Sequence, residues 1–272
     1  MPEFFTAPAA GGFTKKEVFS MPLPYEPLLK KKGKCAVCQA ECEQKRLSFG
    51  GWCRLIIIEN SYTDTDYRGK FPEDNHPELV INTCPHCGYV APNIFRPLPS
   101  RAVRAVIEIL KSDAYKNADN IIFKNKLAKP LYQRAMLSAS DPIAKYQNLL
   151  RVAWVCDDAG DTENAVLMRK KALVSLNEVI AKRIGFENHY PVEDHLAELM
   201  LIKFDLLRRA ALFQEFEEEY TKLMQHPLET EDYYIKGIQN VIDFLRTLNA
   251  KRDTGPHRLA EVPPLYKPPL TK

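Results

Sequence analysis

The sequence predicts an α+β protein that is mostly α, with a small β module at the front and stacked antiparallel helical hairpins behind it. Three observations carry this expectation. Two Cys-x-x-Cys pairs, Cys35/Cys38 and Cys84/Cys87, lie among β-patterned segments. After Pro97 and Pro99 the apolar spacing changes to a helical period. Finally, Ala159-Gly160-Asp161 separates two long helical patterns by the shortest of turns.

Taken in order, residues 1–28 carry Gly11-Gly12 and five prolines without periodicity, and they read as an arm. Residues 29–100 form the β module. Its apolar runs are Arg54-Leu55-Ile56-Ile57-Ile58 and Glu78-Leu79-Val80-Ile81-Asn82-Thr83, the second of which leads directly into Cys84. Between them, Ser61 to Pro77 is a polar loop with Asp64, Asp66, Arg68, Asp74 and His76.

Residues 101–250 form the helical part. Ser100 is the expected N-cap of a helix through Leu110. Asp141 followed by Pro142 opens a helix that Gly160 ends. The next helix starts at Asp161 or Thr162, turns Ala165, Met168, Ala172, Val174 and Leu176 to one face, and closes at Gly185. Three more are expected over Val192–Arg209, Phe213–Met224 and from Thr230 to Ala250. Residues 251–272 hold Pro256, Pro263, Pro264, Pro268 and Pro269 and read as an extended tail.

Composition narrows the class of protein. The chain has 272 residues, and a net charge of +3 leaves no basic asymmetry: residues 1–100 hold 12 Lys and Arg against 11 Asp and Glu. No apolar run reaches the length of a membrane span, and the N-terminus lacks the apolar core of a secretory signal, so no membrane association and a cytoplasmic location are expected. Six of the seven cysteines precede residue 90. In a chain without an export signal, paired thiols of this kind read as metal ligands and not as disulfides.

Two cysteines spaced by two residues on a tight turn can face one ion, and two such pairs complete a tetrahedral cage for zinc. The expected ligands are Cys35, Cys38, Cys84 and Cys87, with 45 residues between the pairs. Four thiolates leave no open coordination position, so this zinc is expected to be structural. Gly88, directly after the fourth cysteine, supplies the left-handed conformation that such turns require. Cys42 and Cys53 match no ligand spacing and read as buried or half-exposed thiols. Lys30, Lys31, Lys32 and Lys34 either compensate the negative charge of a zinc tetrathiolate or contact a phosphate backbone.

Thr63-Asp64-Thr65-Asp66-Tyr67, Asn75-His76-Pro77 and Cys84-Pro85-His86-Cys87-Gly88-Tyr89 together resemble a bacterial family catalogued as domain of unknown function 2225. The resemblance covers roughly residues 29 to 250 and implies a zinc-ribbon head followed by helical repeats, without an assigned activity. A second resemblance, to tetratricopeptide repeats, rests on Ala159-Gly160-Asp161-Thr162-Glu163-Asn164-Ala165 with Ala172-Leu173. Here Arg169 stands in place of an aromatic, and the following hairpin, Leu206-Leu207-Arg208-Arg209-Ala210-Ala211, lacks the turn glycine.

The function expected from these readings is a non-enzymatic bacterial zinc-binding adaptor that engages a protein partner through its helical part. A zinc-ribbon nucleic-acid-associated protein, using the lysines at 30–34, is one alternative. An enzyme using Asp64, Asp66, Tyr67 and His76 is the other, in which clustered carboxylates would serve acid/base work. There is no Gly-rich phosphate loop, His-Glu-x-x-His or Gly-x-Ser-x-Gly. Tyr190, Tyr220, Tyr233 and Tyr234 read as partner contacts or core aromatics, and His195 as part of a helix start.

Overall fold

The computed structural model describes residues 28–47, 81–184, 193–225 and 233–255. The loop residues Asp64, Asp66, Tyr67 and His76, together with Cys53, Tyr190 and the prolines from Pro256 onward, lie outside them. The fold is α+β and mostly α.

Strands β1 (Leu28–Lys34) and β2 (Glu41–Leu47) pair antiparallel, with Leu28 opposite Leu47 and Lys34 opposite Glu41. A second, shorter hairpin joins β3 (Asn82–Thr83) to β4 (Val90–Ala91). Each hairpin carries one Cys-x-x-Cys pair in its turn. The expected strands at residues 54–58 and 78–80 lie outside the described residues.

Eight α-helices follow among the described residues. Helix α1 (Ser100–Lys111) and the single turn α2 (Asp113–Lys116) form a corner, followed by a 3-10 turn at Asn117–Asn120. Ser100 is the first residue of α1, not its cap. Pro99 precedes it, its carbonyl accepting from the Val103 amide at 3.0 Å, and no side chain caps the end. Helix α3 (Ala128–Leu137) contains Pro130 in its first turn, where the missing amide has no helical acceptor to lose.

Helix α4 (Pro142–Asp158) begins as its sequence dictates. The Asp141 carboxylate accepts from the amides of Ile143 and Ala144, both at 3.1 Å, and Pro142 occupies the first turn. Its exit is a Schellman turn: Gly160, at φ +64°, donates to Asp157, and Asp161 reaches back to Cys156. Helix α5 (Thr162–Ile184) then runs back along α4. Ala153, Cys156, Ala165 and Ala172 are all buried in the common core of this pair, where small groups let two helices approach closely. Val174 departs from the expected face and is 60% exposed. The positions that face the core are Met168, Ala172 and Leu176, four apart, and two residues from Ala172 is about 200° around the helix.

Helices α6 (Glu193–Arg209), α7 (Phe213–Gln225) and α8 (Tyr233–Ala250) complete the body. Both α5 and α8 pack against α6. Ala211 makes the α6 exit that Gly160 makes for α4. It adopts φ +57° and donates to Arg208, while Leu212 reaches back to Leu207. A side chain in this region costs roughly 1–2 kcal/mol over glycine, so the turn is set by packing on both sides and not by its own preference. Phe204 and Phe216 meet edge to face at 4.8 Å beneath it.

Arginines take core positions. Arg169, 1% exposed, donates from both terminal nitrogens to Asp157, and Arg209 of α6 donates to the same carboxylate at 2.6 Å. Three helices therefore share one acid. Arg208 is also buried. It donates to Asp205 and, at 2.8 and 2.9 Å, to the carbonyls of Asp253 and Gly255 beyond the end of α8.

Candidate metal centre

The two knuckles have one backbone design. In the first, Cys35 donates to Ala40 at 3.0 Å and Gln39 returns a bond to Cys35 at 2.9 Å. In the second, Cys84 donates to Tyr89 at 2.8 Å and Gly88 returns one to Cys84 at 3.0 Å. The residue after each second cysteine is left-handed: Gly88 at φ +73°, and Gln39 at φ +61°. Glycine suits this position because it has no Cβ to clash. Gln39 occupies it with a side chain whose amide bonds the Ala36 carbonyl at 3.2 Å.

Facing each other, the knuckles bring four sulfurs together. Cys35 Sγ lies 3.8 Å from Cys87 Sγ and Cys38 Sγ 3.7 Å from Cys84 Sγ, and all four fall within 4.8 Å of one another. Cys35 and Cys84 are buried, Cys87 is half-buried and Cys38 exposed. Such a cluster can hold a metal ion. Burial raises the Cys35 thiol. At Cys84 burial acts in the same direction, but the amides of Cys87 and His86 and the neighbouring thiols outweigh it and bring the group down to about 7. One sulfur is thus ready to ionise near neutral pH, as a metal ligand must.

Two buried amides hold the hairpins in register. Gln44 of β2 donates to Asn93 at 2.9 Å and accepts from the Ile94 amide at 2.9 Å. Asn82 of β3 accepts from the Lys45 amide at 2.7 Å and donates to the carbonyls of Lys45 and Pro92. The Ala36 amide reaches the Ile94 carbonyl at 2.8 Å, and the exposed His86 ring lies 3.2 Å from the Glu41 carbonyl. Gly33 leaves room for Phe95, whose ring would lie 2.8 Å from a Cβ at that position. None of this bracing was expected from the sequence. Asn82, a polar residue in an apolar run just before a cysteine, is the one visible signal.

The head also grips the helices. Tyr115 of α2 donates its hydroxyl to the Gly88 carbonyl at 2.7 Å, and Tyr115 and Leu137 share a core with Cys35, Cys84, Tyr89, Val90 and Ile94. Cys42 is half-buried beside the cluster but is not one of its four members. Burial, and the negative charge of Cys84, Cys35 and Cys38, push its thiol up to about 11.

Lys30, Lys31, Lys32 and Lys34 are exposed on β1. Lys32 stands opposite Glu43 and Lys34 opposite Glu41, and Lys30 lies 3.7 Å from Glu43, so the basic run is interleaved with acids. Tyr220 is anchored within the body, donating to Asp243 at 2.8 Å beneath the Arg246 guanidinium. Among the described residues no helix is long and apolar enough to cross a membrane.

No curated protein and no solved structure matches the chain. Residues 28–243, most of its length and both knuckles, match the family described as an uncharacterized protein conserved in bacteria (DUF2225), and the chain belongs to that family.

Proposed function

We propose that the chain is a zinc-binding adaptor whose Cys35, Cys38, Cys84 and Cys87 hold one structural zinc ion and whose helical body engages a protein partner. The spacing of the sulfurs carries the metal assignment. An ion bonded to four sulfurs at about 2.3 Å sits in a tetrahedron with edges of about 3.8 Å; two of the gaps are 3.8 and 3.7 Å and all fall within 4.8 Å. Iron is the other ion that takes four thiolates in this geometry, and metal analysis of the purified protein separates the two. Four sulfurs fill the coordination sphere and leave no place for a reactive water, so the ion builds the head and does no chemistry.

The adaptor role is supported by the architecture behind the head. Successive helical hairpins present a long side surface, a form that suits a peptide or helix from another protein. Affinity purification of the intact protein from its own cells, with and without nuclease, tests this. Protein partners that survive nuclease support the adaptor. Partners lost with nuclease favour the nucleic-acid reading, which the acids interleaved among the lysines of β1 already weaken.

A further inference from the structure

A cleft of about 440 Å³ opens between the α1–α2 corner and helices α3, α4 and α5. Its walls are mostly apolar: Ile109, Ala135, Met136, Leu149 and, at the rim, the exposed Val174. Its polar lining residues are Tyr132, Lys145, Lys171 and Ser112, the last already bonded to the Ile109 carbonyl and the Tyr115 amide. Lys171 donates to the Tyr132 hydroxyl at 2.7 Å, with its ammonium 4.7 Å from the centre of the same ring, so its position is fixed by two contacts.

Both charges in the lining are positive, and neither lysine is paired with a carboxylate among the described residues. Both residues are half-buried, and two cations in one lining with no acid between them favour an anionic ligand. We infer that this cleft binds a small organic acid, with an apolar body against Ile109, Met136 and Val174 and a carboxylate or phosphate group taken by Lys145 and Lys171. The volume is that of a small-molecule site, and a protein partner would need a footprint nearer 800 Å². The inference is independent of the adaptor reading.

Calorimetric titration of the full chain with octanoate, octyl phosphate, octanamide and inorganic phosphate tests it. Octanoate or octyl phosphate should bind roughly tenfold or more tightly than either control, since the neutral amide lacks the charge and inorganic phosphate lacks the apolar body. Whichever of the two acids binds tighter identifies the head group. Lys171→Gln and Lys145→Gln should each weaken that acid by about tenfold. Val174→Asp, at an exposed position where folding tolerates the change, should do the same by repelling the anion. Equal binding of octanamide, full binding of inorganic phosphate alone, no heat up to millimolar octanoate and octyl phosphate, or unchanged affinity in both lysine variants would overturn the assignment.

Discussion

Around the four cysteines the buried apolar groups are few, chiefly Tyr89, Val90 and Ile94, and two buried amides, Gln44 and Asn82, do much of the bracing. From Ala128 to Leu248 the buried residues instead form one continuous apolar cluster that threads α3 to α8. The head therefore depends on directional bonds and, on the reading proposed above, on a bound metal ion, while the body depends on area removed from water. A small module with little core can hold a defined shape only if something other than burial closes it.

Metal removal should separate the two regions most sharply. If the proposed zinc is bound, chelation should withdraw ~10–16 kcal/mol of binding free energy from the head, and Cys84→Ser a part of it. Hydrogen exchange should then show lost protection at Cys35–Ala40 and Cys84–Tyr89, while far-ultraviolet circular dichroism keeps most of the helical signal. Simultaneous loss of both would make head and body a single cooperative unit. The converse is Phe204→Ala, which opens a cavity beneath the α6 exit and should cost ~3–5 kcal/mol in chemical denaturation without altering metal stoichiometry.

Within the body, Asp157→Asn leaves Arg169 and Arg209 without their shared charge. Asp157 is 22% exposed, so the expected loss is about 2–3 kcal/mol, below that for a fully buried pair. In the head, the left-handed positions should respond in opposite directions. Gly88→Ala costs ~1–2 kcal/mol and lowers metal affinity, whereas Gln39→Gly gains up to about 1 kcal/mol. A loss in both would mean that the Gln39 side-chain bond outweighs its backbone strain.

The smallest effect concerns Glu219, which bonds Lys203 and Lys222. Burial acts to raise its carboxyl, but the bonds and charges of the two lysines together outweigh it and hold the group below the usual carboxylate range. A depressed folded value contributes stability that is present above the unfolded value, about 4.3, and is lost as pH falls through the folded one. Glu219→Gln should therefore cost up to ~1 kcal/mol at neutral pH, and the difference from the parent should vanish in acid. A difference that persists in acid would mean that the glutamate acts through packing and not through charge.

The two regions also differed in how far their sequence could be read. Helix ends at Asp141-Pro142 and Gly160 were legible because capping is local chemistry. The knuckles were legible for the same reason. Short strands beside the knuckles were expected too, but the extent of β1 and β2 was not legible, since LLKKKGK and ECEQKRL lack apolar alternation; they are set by the knuckle between them and by Gln44. Helix α3 was obscured by Pro130. Arg169, Arg208 and Arg209 resisted reading for a different reason: an arginine is buried only when a distant acceptor awaits it, and spacing along the chain does not reveal that acceptor.

Arg208 has a practical consequence for anyone shortening the protein. Its guanidinium, inside α6, relies on the carbonyls of Asp253 and Gly255, which come after the last helix has ended. A boundary drawn at Ala250, where the helix stops, would cut away those two acceptors and leave buried donors short of partners. The working edge of the helical unit therefore falls a few residues past its last turn, at Gly255.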